Sequence, residues 1–228
     1  MSIKHPIISV TGSSGAGTST VKHTFQQIFR RESVKAVTLE GDAFHRYNRK
    51  EMKKELEKRH AAGDATFSHF SFDANLLPEL EDCFRNYSEQ GTCRYRHYIH
   101  NSNEENLYGA KQGNFTKWKK FEVPSDLLFY EGLHGAVANE EINLARYADL
   151  KIGVVPVINL EWIQKIHRDT DSRGYSTEAV TDTILRRMHA YVHCICPQFT
   201  ETDINFQRVP VVDTSNPVSY THLTLPTR

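Results

Sequence analysis

A glycine-rich run and three acids suggest the chemistry this chain could carry. Residues 10–20 read VTGSSGAGTST. Gly12, Ser13, Ser14, Gly15, Ala16, Gly17, Thr18, Ser19 and Thr20 follow the phosphate-loop pattern G-x-x-x-x-G-K-[ST], with Thr18 where the pattern has lysine. Glycines in such a loop let backbone N–H groups cradle phosphates, and the helix that follows adds positive potential. Ser19 stands where a hydroxyl binds Mg2+. The missing lysine would neutralise the β- and γ-phosphates, so either other cations do so or the site only holds nucleotide. Lys165, Arg168 and Arg173 in QKIHRDTDSRG are the candidates. The first two are expected near the end of a helix and the third in the polar turn after it, as in a lid that closes over phosphates.

Phosphoryl transfer also needs acids, to hold Mg2+ and to orient or deprotonate the acceptor hydroxyl. Asp42, Glu131 and Asp169 are the candidates. Glu131 ends the apolar run LLFYE, and Asp42 follows an expected strand in EGDAFHR. His45, Arg49 and Lys53 are spaced i, i+4, i+8. If helical, they form one basic stripe suited to a sugar phosphate. RYRHYIH adds Tyr98 and His100.

The elements that must position these residues alternate. Apolar runs predict strands at 7–10, 34–39, 126–130 and 150–155. Apolar spacing predicts helices after the loop and at 74–87, 159–167 and 177–192, and the charged run RKEMKKELEKRHA predicts a solvated helix at 49–61. Between 91 and 123 the helical period is lost, and GTCRYRHYI and FTKWKKFEV predict a small β excursion. The pattern reads as an α/β fold of the P-loop kinase kind, a mainly parallel sheet with helices on both faces. GSSGAG, EGDAFHR and EGLHG would then converge at the carboxyl edge of the strands, where such folds bind ligands.

Bulk composition narrows the class. Of 228 residues, 39% are hydrophobic and 25% charged, with 28 basic against 28 acidic residues. Such a balance argues for neither nucleic acid nor a membrane surface, and no apolar run approaches a membrane span. Four scattered cysteines suggest a reduced cytoplasmic protein. HCICP has no second Cys/His pair at zinc spacing. Residues 1–217 read as one kinase domain, cut short, and 218–228 (VSYTHLTLPTR) as a non-native tail.

GSSGAGTST, EGDAFHRY, FYEGLHG, WIQKIHRDTDSRGYS and YVHCICPQF together make the chain resemble phosphoribulokinase in its bacterial, Calvin-cycle form. That form also has Thr in the loop. The resemblance implies transfer of the ATP γ-phosphoryl to the 1-hydroxyl of ribulose 5-phosphate, with Mg2+. It implies Asp42 as base and Asp169 as a metal-associated acid, with the choice of Asp42 or Asp169 for the proton left open, Glu131 as the acid of the second P-loop motif, and Lys165 and Arg168 on the transferred phosphate. His45, Arg49 and Arg173 would bind the sugar phosphate. It further implies a homo-oligomer, typically an octamer, activated by NADH and inhibited by AMP through positions matching Arg31 and Arg187. The plant-type form is regulated through cysteines, one of them in the loop. With Ala16 and no cysteine in this loop, no thioredoxin switch is expected. Rival readings are a uridine-kinase-like enzyme, a GTPase-like module and an inactive truncated nucleotide binder. Thr18 and EGDAFHR argue against the first, and the absence of N-K-x-D against the second.

Overall fold

The computed structural model describes residues 4–121, 124–211 and 213–215, with only the backbone of 172 and 173. In chain order the elements are β1 (Ile7–Thr11), α1 (Thr18–Arg31), β2 (Ala36–Glu40), α2 (Arg49–Ala61), α3 (Leu77–Gln90), β3 (Arg94–Tyr95), α4 (Ser102–Tyr108), β4 (Lys119–Lys120), β5 (Leu127–Gly132), β6 (Leu150–Pro156), α5 (Ile158–Arg173), α6 (Thr177–Ala190) and β7 (Ile204–Arg208). Five strands pair in parallel in the order β2-β5-β1-β6-β7. β3 and β4 form a separate antiparallel ribbon.

The alternation of strand side chains separates two cores. Ile7, Leu39, Leu128 and Tyr130 pack with Leu80, Phe84 and Tyr87 of α3. Val10, Phe129, Ile152 and Val154 pack with Phe29 of α1, on the other side. The loop after β1, the turn 41–44 after β2 and the segment after β5 leave the sheet at one edge, as the sequence predicts. Gly41 is required there: a Cβ would lie 2.8 Å from Gly132 Cα. That close approach brings the ends of β2 and β5 together.

Several boundaries differ from expectation. α3 begins at Leu77, because 72–74 form their own short turn and Pro78 suits a first helical turn. The β excursion has only two-residue strands, with α4 between them. Asn101 caps α4 by accepting from Glu104 N, and left-handed Gly109 ends it. Residues 122 and 123, the end of the second expected strand, lie outside the described residues. α5 runs through the expected lid turn and stops at left-handed Gly174. β7 lies outside the expected strands, although INFQR does alternate apolar Ile204 and Phe206 with polar Asn205 and Gln207. Cys83 and Cys93 face one another across the end of α3. Left-handed Gly91 turns the chain back at the end of α3, so the two Cα atoms stand 4.9 Å apart. The proposed tail, 218–228, lies outside the described residues.

Candidate active site

The glycine loop begins the site. Gly15 and Gly17 take positive φ of 111° and 101°, and Gly17 N-caps α1 without any side-chain cap. The first N–H groups of α1 therefore lack a side-chain acceptor and suit an anion. Buried Ser13 donates its hydroxyl to Glu161 Oε1. Burial pushes the Glu161 carboxyl up to about 7, and its Oε2 has no hydrogen-bond partner among the described residues. Ser14 Oγ accepts from Arg168 at 3.2 Å. α5 thus lies along the loop.

The cations around the loop are mostly paired. Lys165 Nζ lies 2.6 Å from Asp169 Oδ2, and Arg168 Nε lies 3.0 Å from Asp169 Oδ1. Burial, then the Arg187 charge, pushes Lys165 down to about 8. Burial opposes ionisation of Asp169, yet Lys165 and Arg168 hold its carboxyl below the ordinary value. Lys22, one turn beyond Thr18, lies 2.8 Å from Glu40 and 3.6 Å from Glu131. Burial works against its charge, but the two acids raise its pKa. Arg208, at the end of β7, donates to Gln164 Oε1 at 3.1 Å and Ala16 O at 3.4 Å. A Cβ on Gly17 would meet its guanidinium at 2.6 Å. Lys22, Glu161 and Arg208 are absent from the sequence reading. Only Lys22 carried a signal, its i+4 spacing from Thr18.

Glu131 faces the start of α1, where the Thr18 hydroxyl and Lys22 draw its pKa down but burial holds it above its ordinary value. Mg2+ takes one or two carboxylates, with phosphates and waters completing its shell. Exposed Ser19 and Glu131 fit that donor set. Asp169 is engaged by Lys165 at Oδ2 and by Arg168 at Oδ1. Among the described residues, no three His, Cys, Asp or Glu side chains form a metal cluster.

Asp42 sits in the turn 41–44. His45 Nε2 lies 3.2 Å from its Oδ1, and His100 Nε2 lies 3.5 Å from its Oδ2. Burial would raise the Asp42 carboxyl, but His45 first and then His100 hold it well below the usual carboxylate range. The carboxylate remains 41% exposed, so a substrate hydroxyl has access to it. Arg96 braces the turn from the excursion, donating to Ala43 O at 2.7 Å and His45 O at 2.6 Å. Its guanidinium stacks 3.6 Å from the Phe115 centroid.

Asp42, His45 and His100 come together as expected. The helical stripe does not form, because His45 is extended and α2 starts at Arg49 behind an Asn48 capping box. Arg49 still approaches the site, its guanidinium 3.5 Å from His100 O. Lys53 is exposed, with Glu57 at 4.0 Å. Arg173 is the last residue of α5 rather than part of a turn, and its side chain lies outside the described residues. Arg187 lies 3.3 Å from His69 and lines a cavity with Ser14, Glu161 and Lys165. Arg31 is 75% exposed beside Glu32.

A phosphate loop, a carboxylate beside its helix and an accessible ionised acid under a histidine pair have the parts of a phosphoryl-transfer site. The family model for "Phosphoribulokinase / Uridine kinase family" matches residues 7–215. The chain is 74% identical over 217 residues to phosphoribulokinase 1 of Cereibacter sphaeroides, covering 95% of this chain and 75% of that protein. It is 66% identical over 214 residues to the phosphoribulokinase of Nitrobacter vulgaris, covering 94% and 74%. A solved structure of phosphoribulokinase from Rhodobacter spheroides superposes with a TM-score of 0.85 at 70% identity, covering 96% of this chain and 75% of that one.

Proposed function

The chain belongs to the phosphoribulokinase / uridine kinase family, and on that premise we propose that it transfers the γ-phosphoryl of ATP to the 1-hydroxyl of ribulose 5-phosphate. The observation that carries the reading is Asp42, kept ionised and accessible between His45 and His100 at the sheet edge that also bears the glycine loop. Asp42 accepts the proton of the acceptor hydroxyl as that oxygen bonds to the γ-phosphorus and the bond to ADP breaks. Asp169 is less suited to be the base, because Lys165 and Arg168 occupy it.

Backbone N–H groups of 12–20 hold the nucleotide phosphates, and Lys165 and Arg168 steady the transferred group. His45, His100, Arg49 and Arg173 bind the sugar phosphate, with Lys53 at the margin. Mg2+, held by Ser19 and Glu131, neutralises phosphate charge when bound. In a homo-oligomer, NADH would activate and AMP inhibit through Arg31 and Arg187; the contact of Arg187 with His69 and its place beside Lys165 support such a link. We place the enzyme in the cytoplasm with its nucleotide and sugar phosphate. No helix among the described residues is long and apolar enough to cross a membrane.

The test is Mg-ATP turnover with ribulose 5-phosphate, with uridine and with no acceptor. The expected outcome is turnover with ribulose 5-phosphate alone, and a loss of about 100-fold or more in Asp42→Asn, the scale of general-base catalysis. Equal turnover without acceptor, or preference for uridine, would sink the reading.

A further inference from the structure

Behind the Asp42–His45 pair lies a buried polar residue that the site described above does not use. Asn75 is 3% exposed. Its Oδ1 lies 2.8 Å from His45 Nδ1. Its Nδ2 donates to Ser71 O at 2.8 Å and His69 O at 3.0 Å, with His134 Nε2 at 3.2 Å. Backbone carbonyls only accept, so the amide has one orientation, with oxygen toward His45. A bare amide oxygen facing a ring nitrogen requires a proton on that nitrogen. His45 Nδ1 therefore carries hydrogen, which leaves Nε2 to meet Asp42.

We propose that Asn75 is a positioning residue for phosphoryl transfer: its carbonyl oxygen keeps the proton on His45 Nδ1, so that the ring turns a second N–H and a positive charge toward the Asp42 carboxylate. This rests on Asp42 being the base. The backbone brackets the arrangement: Arg46 N donates to Ala74 O at 2.8 Å and Leu76 N to Phe44 O at 2.7 Å, on either side of the His45–Asn75 bridge. Asn75 and His45 thus move as a unit, and the ring has little freedom to flip.

The surrounding groups make the Asn75 oxygen matter. Burial and the Arg187 charge on α6 disfavour a cationic His45, while Asp42 and the Asn75 oxygen favour it and prevail. His69, between α2 and α3, stands 5.9 Å away ring to ring and is held well below its ordinary value by burial and Arg187. His134, after β5, is pushed down to about 3 by burial and His45. His100 meets Asp42 on its other oxygen. Arg96 meets His45 at its backbone carbonyl. His69 and His134 thus stay neutral near His45. A neutral His45 could still donate Nε2–H to Asp42, but without the charge that holds the carboxylate ionised.

The experiment compares the wild type, Asn75→Leu and Asn75→Asp. Leu fills similar volume with no acceptor, whereas Asp keeps an acceptor at Oδ1. In N75L, kcat should fall about 10- to 100-fold, the range for outer-shell partners. KM for Mg-ATP should hold, and the acidic limb of kcat/KM for ribulose 5-phosphate should move to higher pH. N75D should restore the position of that limb. A purely structural role would lower folded protein without shifting the limb. Independently of turnover and of any variant, nitrogen NMR of wild-type His45 near pH 7 should show Nδ1 protonated. An unshifted limb in N75L, or a wild-type His45 lacking the Nδ1 proton, would overturn the proposal. If the chain lacks acceptor-dependent turnover, the kinase reading fails, and NMR alone decides the tautomer.

Discussion

Lys165 and Glu161 lie one turn apart on α5, and both are set to titrate near neutral pH, at about 8 and about 7. Lys165 is charged below about 8 and loses its charge as pH rises through that value. If it steadies the transferred phosphate, turnover falls on the same limb. Lys165→Arg keeps its charge throughout, so this limb should flatten even if the peak rate drops. Stability runs the other way. The folded pKa lies below the ordinary 10.5, so between about 8 and 10.5 the unfolded chain binds more protons and stability rises with pH. Thermal melts across that range therefore separate loss of charge from loss of fold, and an alkaline limb unchanged in K165R would remove Lys165 from the step. At this scale the site was partly legible. Asp42, His45 and His100 stood in polar clusters, and the structure brings them together. Arg208 and Glu161 gave no such sign, because their loop partners are 192 and 148 residues away. Sequence spacing does not encode such contacts.

Elements carry those residues to the edge, and their termini decide whether the geometry is kept. Gly41 follows β2 directly, and a Cβ there would meet Tyr130 Oη at 2.5 Å as well as Gly132 Cα. Neither can yield cheaply, since Tyr130 is 1% exposed and Gly132 is strand backbone. Gly41→Ala should cost about 1–3 kcal/mol, as overpacking does. It should also lower kcat more than KM for ATP, because it displaces the turn bearing Asp42. Denaturant melts and steady-state kinetics check both, and a variant with wild-type stability and rate would remove the close approach from the argument. Apolar periodicity located β1, β2, β5, β6 and most helices within a few residues. It failed where local capping decides. Asn101 starts a helix inside the expected β excursion. Asn48, not the i+4 spacing of His45, sets the start of α2. Left-handed Gly174, not the polar run before it, sets where α5 ends.

At the scale of the whole molecule, the sheet order puts β1 at the centre, where the loop lies between the acid of β5 and the helix that follows β6. Among the described residues it also leaves β7 at an edge. Ile204 is 44% exposed, Phe206 46% and Val209 64%. An edge strand offers unpaired backbone groups, and apolar side chains there favour pairing with another chain. The matched relatives are longer, since this chain covers about three quarters of their length. This chain should self-associate through β7, with light-scattering mass rising with concentration. Ile204→Lys with Phe206→Lys should return it to a monomer, because two ammonium groups would face their copies across any pairing. Turnover should be retained, as neither side chain has a part in the site. A monomer at every concentration in the wild type, or association that the two lysines leave intact, would place the contact elsewhere. The outcome also bears on the proposed NADH and AMP response: an association seam along β7 would adjoin Arg208, whose guanidinium rests on the glycine loop, and so would give assembly a direct physical route to the nucleotide.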